Sequence, residues 1–233
     1  MAPGSALAAA VLSLSLALAA LAHRGEEPAA QSFVPPAPGT YRLPPIQAAP
    51  EGEVLDRWGQ SRALSEFTRG RITLLGLIYT RCTDPDGCPR STWAFHAVRS
   101  QLSSHRELKG RVRLVSLSFD PAHDSPEELR SYRERAGAAK PGADWHFLTT
   151  ASTQARASIL EGFGQDLRVA ADSAALPGSE EFSHTLKVFL IDPIGRVREI
   201  YTSAFLSPQV IVNDILTLKR ESHRRSRPLR EPR

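Results

Sequence analysis

The chain has 233 residues, of which 41% are hydrophobic, and a formal net charge of +4 at neutral pH. This is enough for a hydrophobic core in one large domain or two small ones. Residues 219–233 hold seven basic and two acidic groups, so the basic charge belongs to the C-terminus. A terminal charge run is usually solvated, with weak attraction to anionic lipid as the alternative. Nucleic-acid binding is not expected, because no aromatic side chain is interleaved with these arginines. We predict a disordered basic tail over residues 221–233.

The N-terminus predicts export. Residues 6–22 are an uncharged run of Ala, Leu, Val and Ser that ends in the small-x-small pattern Ala20-Leu21-Ala22. This is typical of a secretory signal peptide over residues 1–22. An uncleaved membrane anchor is the alternative, because the run is long and no Lys or Arg precedes it. Residues 23–50 hold seven of the 18 prolines and predict an extended linker.

From residue 51 the pattern predicts one domain, residues 51–220. Short additional strands at about 51–66 can precede its first main strand. The apolar run Ile72–Tyr79 predicts a strand covered on both faces. Ser125-Pro126-Glu127-Glu128 predicts a helix start with a capping box. The further predicted elements are a helix from Pro89 to about His105, strands at Arg111–Phe119 and Trp145–Leu148, a helix at Ser152–Phe163, a hairpin of Thr185–Ile191 and Val197–Thr202, and a last helix from Ser207-Pro208.

These elements alternate as β-α-β-α-β-α-β-β-α. Such an order predicts an α/β fold with parallel strands, right-handed crossovers and helices on both faces of a central mixed sheet. A strand, a cysteine pair, a helix, a crossover strand and a terminal hairpin plus helix is the thioredoxin-like arrangement. The aromatic side chains of Trp93, Tyr132 and Phe163 are predicted to lie in its core.

The cysteines are Cys82 and Cys88, which lie between the first strand and the following helix, with five residues between them. Pro85 and Gly87 allow the loop to fold back so that the sulfurs meet. The amide dipoles at the helix start favour a thiolate at Cys88. This layout is typical of a redox or metal site, with a structural disulfide as the plain alternative in an oxidising compartment.

Four blocks together resemble the Sco/SenC family of thioredoxin-like copper-delivery proteins. They are Tyr79-Thr-Arg-Cys82 with Asp86-Gly-Cys88-Pro89, Ser118-Phe-Asp120-Pro-Ala-His-Asp124-Ser-Pro126, Trp145-His-Phe-Leu-Thr149, and Ser183-His184-Thr185 followed by Val-Phe-Leu-Ile-Asp192-Pro. The resemblance covers about residues 70–205. The chain departs from the family's usual spacing, which has three residues between the cysteines.

The resemblance implies a copper site formed by Cys82, Cys88 and His184. Two thiolates and an imidazole suit Cu(I) and can also hold Cu(II). The only methionine is Met1, so a thioether copper site is excluded. The family's function implies a metallochaperone that serves the copper-site subunit of cytochrome c oxidase or another cuproenzyme. It would work in the periplasm or at the outer face of the inner membrane, with a thiol reductant protein as a second partner.

An exported thiol-disulfide oxidoreductase is the alternative function, with Cys82 and Cys88 as a catalytic redox pair in which Cys82 attacks and Cys88 resolves. A peroxiredoxin-like peroxidase is a weak third, because Thr80 stands two residues before Cys82 instead of three. Near the site, Asp86 either tunes the thiols or serves the turn. Asp120 either belongs to the site or caps a turn, and His123 is a candidate neighbour of the ligands.

Overall fold

A computed structural model describes residues 34–169 and 182–225 of the chain. The strands are β1 (Gln47–Ala48), β2 (Glu53–Leu55), β3 (Ser61–Ala63), β4 (Ile72–Ile78), β5 (Val112–Ser118), β6 (Asp144–Leu148), β7 (Arg168–Val169), β8 (Phe182–Ser183), β9 (Lys187–Ile191) and β10 (Arg196–Thr202). The helices are α1 (Ser65–Thr68), α2 (Cys88–Leu102), α3 (Pro126–Arg135), α4 (Thr153–Gly162) and α5 (Pro208–Arg225). Each element predicted from residue 72 onward is present, with ends shifted by a few residues.

The central sheet has the strand order β1-β10-β9-β4-β5-β6. Strands β4, β5 and β6 are parallel, whereas β9 runs antiparallel to β4. The carboxyl ends of β4 and β5 therefore meet the beginning of β9 at one edge of the sheet. The cysteine loop follows β4 and His184 precedes β9, so the topology brings both to this edge.

Helices cover both faces of the sheet, as the sequence predicts. On one face, a Cβ added to Gly76 of β4 would lie 3.1 Å from the Phe95 ring of α2, and α2 packs against α5. On the other face, Phe163 at the end of α4 packs on Phe189 of β9 with ring centroids 4.5 Å apart. The strand β4 is buried along its whole length because both faces are covered.

Local signals act as the sequence predicts at two places. The Ser125 hydroxyl accepts a hydrogen bond of 3.2 Å from the backbone N–H of Glu128, which caps α3. The predicted capping box is only half formed, because the Ser125 N–H donates to the carbonyl oxygen of His123 and the Glu128 carboxylate pairs with Arg135. Between β9 and β10, the Asp192 carboxylate accepts the backbone N–H groups of Ile194 and Arg196, and Gly195 adopts a φ of +87°. This turn fixes the hairpin, because a positive φ is readily adopted only by glycine.

The segment 35–50 packs on the domain instead of trailing from it as an extended linker. Leu43 is buried, and its carbonyl oxygen accepts a hydrogen bond of 2.6 Å from Arg198 Nε. The Tyr41 hydroxyl donates to the carboxylate of Asp214 in α5, and β1 pairs with β10. Apolar and hydrogen-bonding side chains between the prolines attach this segment to the domain.

Two further predictions are corrected by the structure. Helix α5 continues to Arg225, so the first residues of the predicted disordered tail are helical, and Glu221 pairs with buried Arg198 at 2.6 Å. The Trp93 side chain is 60% exposed, whereas Phe163 is buried as predicted. Trp93 lies on the solvent side of α2, opposite the face that Ala94, Phe95 and Val98 bury.

Within the described residues, no helix is long and apolar enough to cross a bilayer. The predicted signal peptide or anchor, residues 1–22, and the last part of the predicted tail, residues 226–233, lie outside the described residues.

Candidate functional site

The two thiols lie in the loop that joins β4 to α2. Cys88 is the first residue of α2 and is buried, Cys82 is half-buried, and both are free thiols. The backbone N–H of Cys82 donates to the carbonyl oxygen of Tyr79 at 3.3 Å, and that of Gly87 to the carbonyl oxygen of Asp84 at 3.0 Å. A Cβ at Gly87 would lie 3.1 Å from Cys82 Sγ, so the absence of a side chain there lets the loop fold tightly over the sulfur.

The structure assigns the more acidic thiol to Cys82. A hydrogen bond from the Cys88 thiol is the main cause that lowers the pKa of Cys82 to about 6. Burial opposes this shift, while the backbone N–H groups of Cys88 and Asp84 and the Tyr79 hydroxyl support it. The pKa of Cys88 is raised, first by its hydrogen bond to Cys82 and then by burial.

The predicted thiolate at Cys88 is therefore wrong. The backbone N–H of Cys88, at the start of α2, points to the sulfur of Cys82, which lies in the loop before the helix. The sulfur of Cys88 instead faces the interior, where it accepts a hydrogen bond of 3.4 Å from the backbone N–H of Tyr79.

His184 lies at the same edge of the sheet as the thiols. Its half-exposed ring packs edge-on against Phe119, with centroids 4.8 Å apart, and lies 6.5 Å from the ring of Tyr79. Its Nδ1 atom is 3.3 Å from the carbonyl oxygen of Thr185. Burial and the nearby sulfur of Cys82 raise the pKa of Tyr79, so this side chain neighbours both the imidazole and the loop.

The three predicted ligands lie at one edge of the sheet, but they do not form a closed site in this structure. In the described ranges, no three His, Cys, Asp or Glu side chains lie close enough together to hold a metal ion. The donor types fit a soft ion, since thiolates and imidazole are ligands that Cu(I) prefers. A three-coordinate site requires the imidazole of His184 to move toward the sulfurs.

Three polar residues near the thiols behave differently from one another. The exposed Asp86 carboxylate pairs with Arg90, four residues along the chain, at 2.9 Å. Buried Asp120 receives a hydrogen bond of 2.9 Å from Arg81, the neighbour of Cys82, and lies 3.0 Å from His123 Nδ1. Asp120 and His123 therefore support the loop through Arg81.

The sequence analysis placed Asp124 and Tyr79 in the motif blocks but assigned neither of them a role in the site. The Asp124 carboxylate is fully buried and accepts hydrogen bonds from Thr80 and Ser118, and burial raises its pKa. The position of Asp124 could have indicated its role, because it follows β5 beside the carboxyl end of β4, where the sites of α/β proteins commonly form. Tyr79 opens the first motif block, but nothing in its local pattern distinguishes it from the other apolar residues before the cysteine loop.

Comparison with solved structures gives the same fold. The copper-bound structure of ScoI from Arabidopsis thaliana superposes with a TM-score of 0.62 at 15% identity, covering 75% of this chain and 99% of that chain. BsSco, described as a member of the Sco family of cytochrome c oxidase assembly proteins with a disulfide switch, gives a TM-score of 0.58 at 21% identity and covers 76% of this chain and 96% of that chain. The predicted thioredoxin-like fold is confirmed.

Sequence comparison identifies the family. A putative copper-binding protein of Stutzerimonas stutzeri is 32% identical over 90 residues, which cover 39% of this chain and 42% of that protein. The matched stretch thus spans less than half of this relative. The SCO1/SenC family model matches residues 50–220, which is most of the chain. The protein therefore belongs to the SCO1/SenC family.

Proposed function

We propose that the protein is a copper metallochaperone whose cargo binds to Cys82, Cys88 and His184. The observation that carries this proposal is the free thiol pair at the sheet edge where His184 also lies, in a chain of the SCO1/SenC family. The copper-bound ScoI structure and the copper-binding relative support copper as the cargo. The coordination at this site is a property of the three side chains together, because none of them alone selects copper.

The electrostatics suit uptake of Cu(I). Because the pKa of Cys82 is about 6, its thiolate is already formed at neutral pH. Cys88, whose pKa is raised, must release its proton when the ion binds. The imidazole of His184 would complete the set by moving toward the sulfurs. Because Cys82 is half-exposed, a partner's thiolate can approach there and exchange ligands one at a time.

The partner we propose is the copper-site subunit of cytochrome c oxidase or a related cuproenzyme. Support comes from BsSco, a relative in fold that is described as an oxidase assembly protein. We place the protein outside the cytoplasm, in the periplasm or at the outer face of the inner membrane, because residues 1–22 have the pattern of a signal peptide or anchor. A thiol reductant protein is then needed, since an oxidising compartment converts paired thiols to a disulfide.

The test is a Cu(I) titration of the fully reduced protein against a chelator of known affinity. We expect one ion per chain. Cys82→Ser and Cys88→Ser should each weaken binding at least about 100-fold, and His184→Ala about 10-fold or more, because each removes a ligand. His105→Ala is the matched control, since this histidine lies next to Glu107, away from the thiols. Equal affinity of wild type and His184→Ala would remove the histidine from the site.

A thiol-disulfide oxidoreductase is the second candidate function, favoured by the acidic Cys82 beside a protonated Cys88. The Cys82 thiolate would attack one sulfur of a partner disulfide and expel the other as a thiolate. Cys88 would then give its proton to solvent and attack Cys82 Sγ, which forms the Cys82–Cys88 disulfide and releases the reduced partner. Two electrons pass to the partner, and the thiol reductant restores the pair.

The two functions are separated by His184. Disulfide exchange with a model disulfide should not need the imidazole, whereas Cu(I) binding should. A protein that takes up no Cu(I) at micromolar concentration but exchanges disulfides rapidly, with or without His184, would be an oxidoreductase and not a copper carrier.

A further inference from the structure

The edge of the sheet opposite the thiols brings together the starts of β4 and β5 and the turn between β9 and β10. The backbone N–H of Gly70, before β4, donates to the carbonyl oxygen of Pro193 in that turn at 2.7 Å. The backbone N–H of Ile72 donates to the carbonyl oxygen of Arg111, before β5, at 3.0 Å. These segments are therefore neighbours on one surface.

The last turns of α5 lie at the same edge. Leu218 and Ser222 line a cleft together with Ile194 of the β9–β10 turn. Glu221, next to Ser222, pairs with Arg198 of β10 at 2.6 Å. Helix α5 thus ends at this edge, and the sequence that follows it, residues 226–233, holds three arginines and one glutamate.

Four basic side chains at this edge have no acidic partner. They are Lys109 and Arg111 before β5, and Lys219 and Arg220 near the end of α5, and we call these four residues the basic edge. In the part of the chain that the structure describes, no carboxylate pairs with any of them. The exposed carboxylate of Glu107 lies 3.5 Å from His105 instead. The basic edge therefore presents positive charge that the fold does not neutralise.

An exposed isoleucine lies beside the basic edge. The side chain of Ile194 is 61% exposed at the tip of the β9–β10 turn. The turn is held by Asp192, whose carboxylate accepts the backbone N–H of Ile194 at 3.1 Å. Binding to a bilayer surface combines buried apolar area with electrostatic attraction to anionic lipids. A fixed apolar side chain next to unpaired Lys and Arg side chains offers both contributions.

We propose that the basic edge and Ile194 bind anionic lipid headgroups, so that the domain rests on a membrane with its thiols turned away from the bilayer. Strand β4 has seven residues, so about 20 Å of strand separates this edge from the cysteine loop. A lipid surface is favoured over another polyanion because residues 6–22 form an apolar run suited to a membrane and because Ile194 is apolar. The inference goes beyond the copper function and needs no copper.

The test uses the full chain, reduced and free of metal, on vesicles of phosphatidylcholine and on vesicles in which about a third of the lipid is phosphatidylglycerol. The apolar N-terminal run can hold the chain on both, so docking of the domain is measured by lysine acetylation. Each basic group near an anionic surface contributes about fivefold to binding, so Lys109 should be acetylated at least about fivefold more slowly on the anionic vesicles. Lys187, at the thiol edge, should react equally on both.

The decisive variant is Arg111→Gln/Lys219→Gln, which keeps Lys109 as the reporter. Loss of two basic groups should lower the ratio of docked to free domain about 25-fold and restore the acetylation of Lys109. Arg90→Gln/Arg168→Gln is the matched control, because it removes the same charge from exposed positions at the thiol edge and should leave Lys109 protected. Raised salt should abolish the protection in the wild type, since it screens exposed charges.

Four results would overturn the proposal. Equal acetylation of Lys109 on the two kinds of vesicle would assign the basic edge to another polyanion, such as an acidic protein. Full protection in Arg111→Gln/Lys219→Gln would assign lipid binding to residues 226–233 alone. An equal loss in the control variant would show that only total charge matters, and equal protection of Lys187 would exclude the orientation. None of these results bears on copper binding, so the proposed function is tested separately.

Discussion

Thr80 gives both of its hydrogen-bond donors to the carboxylate of Asp124. Its backbone N–H lies 3.0 Å from Oδ2 and its hydroxyl 2.6 Å from Oδ1. Ser118 donates to the same carboxylate at 2.5 Å. The cysteine loop departs from the end of β4. The bonds between Thr80 and Asp124 fix this end of the strand to the turn after β5, beneath the loop.

Asp124→Ala should destabilise the reduced protein by about 3 kcal/mol, because it leaves three buried donors without an acceptor. Asp124→Asn should cost less than about 1 kcal/mol, since the amide oxygen accepts two of these donors and the hydroxyl of Thr80 can turn to accept the amide nitrogen. Urea unfolding of both variants measures the difference. Equal stability of the two would show that the hydrogen bonds contribute nothing.

Cys82 should react with iodoacetamide at a pH far below that of an ordinary thiol. In reduced, metal-free protein we expect a half-maximal rate near pH 6, with Cys88 protected by burial. Cys88→Ala should move this midpoint to higher pH, because the Cys88 thiol is the main donor to the sulfur. Cys88→Ser, which keeps a hydroxyl donor, should move it less. A midpoint near 8.5 in the wild type, the ordinary value for cysteine, would contradict the assignment.

The lowered pKa of Cys82 also determines how the stability of the reduced protein varies with pH. The pKa of Cys82 is lower in the folded state, about 6, than in the unfolded state, so the unfolded chain binds more protons between these values. The ionised Cys82 thus stabilises the reduced fold above about pH 8.5, and this contribution is lost as the pH falls toward 6. The difference in unfolding free energy between wild type and Cys82→Ser should follow this window. A difference that does not vary with pH would contradict it.

Arg198 should be essential for attaching the segment that contains Leu43. Its guanidinium bonds to the carbonyl oxygen of Leu43, to Asp192 at 2.9 Å and to Glu221 at 2.6 Å, and its side chain is almost fully buried. Arg198→Met should cost about 3 kcal/mol, because it leaves buried charges without their partner.

The matched control for Arg198 is Arg69→Met, which breaks the exposed pair with Glu51 and should cost less than about 1 kcal/mol. Thermal unfolding with limited proteolysis near residue 43 measures both effects. Equal losses in the two variants would mean that residues 35–50 contribute little to the fold.

Trp93→Ala should change stability by less than about 1 kcal/mol, as expected of a surface position. Phe163→Ala should cost about 3–5 kcal/mol, because that ring fills the core against Phe189. Denaturant midpoints of the two variants distinguish these cases. A large loss of stability in Trp93→Ala would contradict the exposed position of this side chain.

Local chemistry made much of the fold predictable. The apolar run of β4, the N-cap at Ser125 and the turn at Asp192–Gly195 each fix an element through contacts within a few residues. The cysteine pair between a strand and a helix start was likewise visible, because both neighbours have strong local signals. The family's motif blocks added His184, which no local pattern singles out.

The amino-acid sequence by itself determined the order of strands and helices, since this follows from periodicity and turn residues, whereas the expectation that His184 meets the thiol loop came from the family resemblance. Only the tertiary structure decided that Cys82 and not Cys88 is the acidic thiol, and that residues 35–50 belong to the packed domain. Each of these depends on the direction of a side chain or an amide relative to groups distant in sequence, and such directions are set by packing in three dimensions.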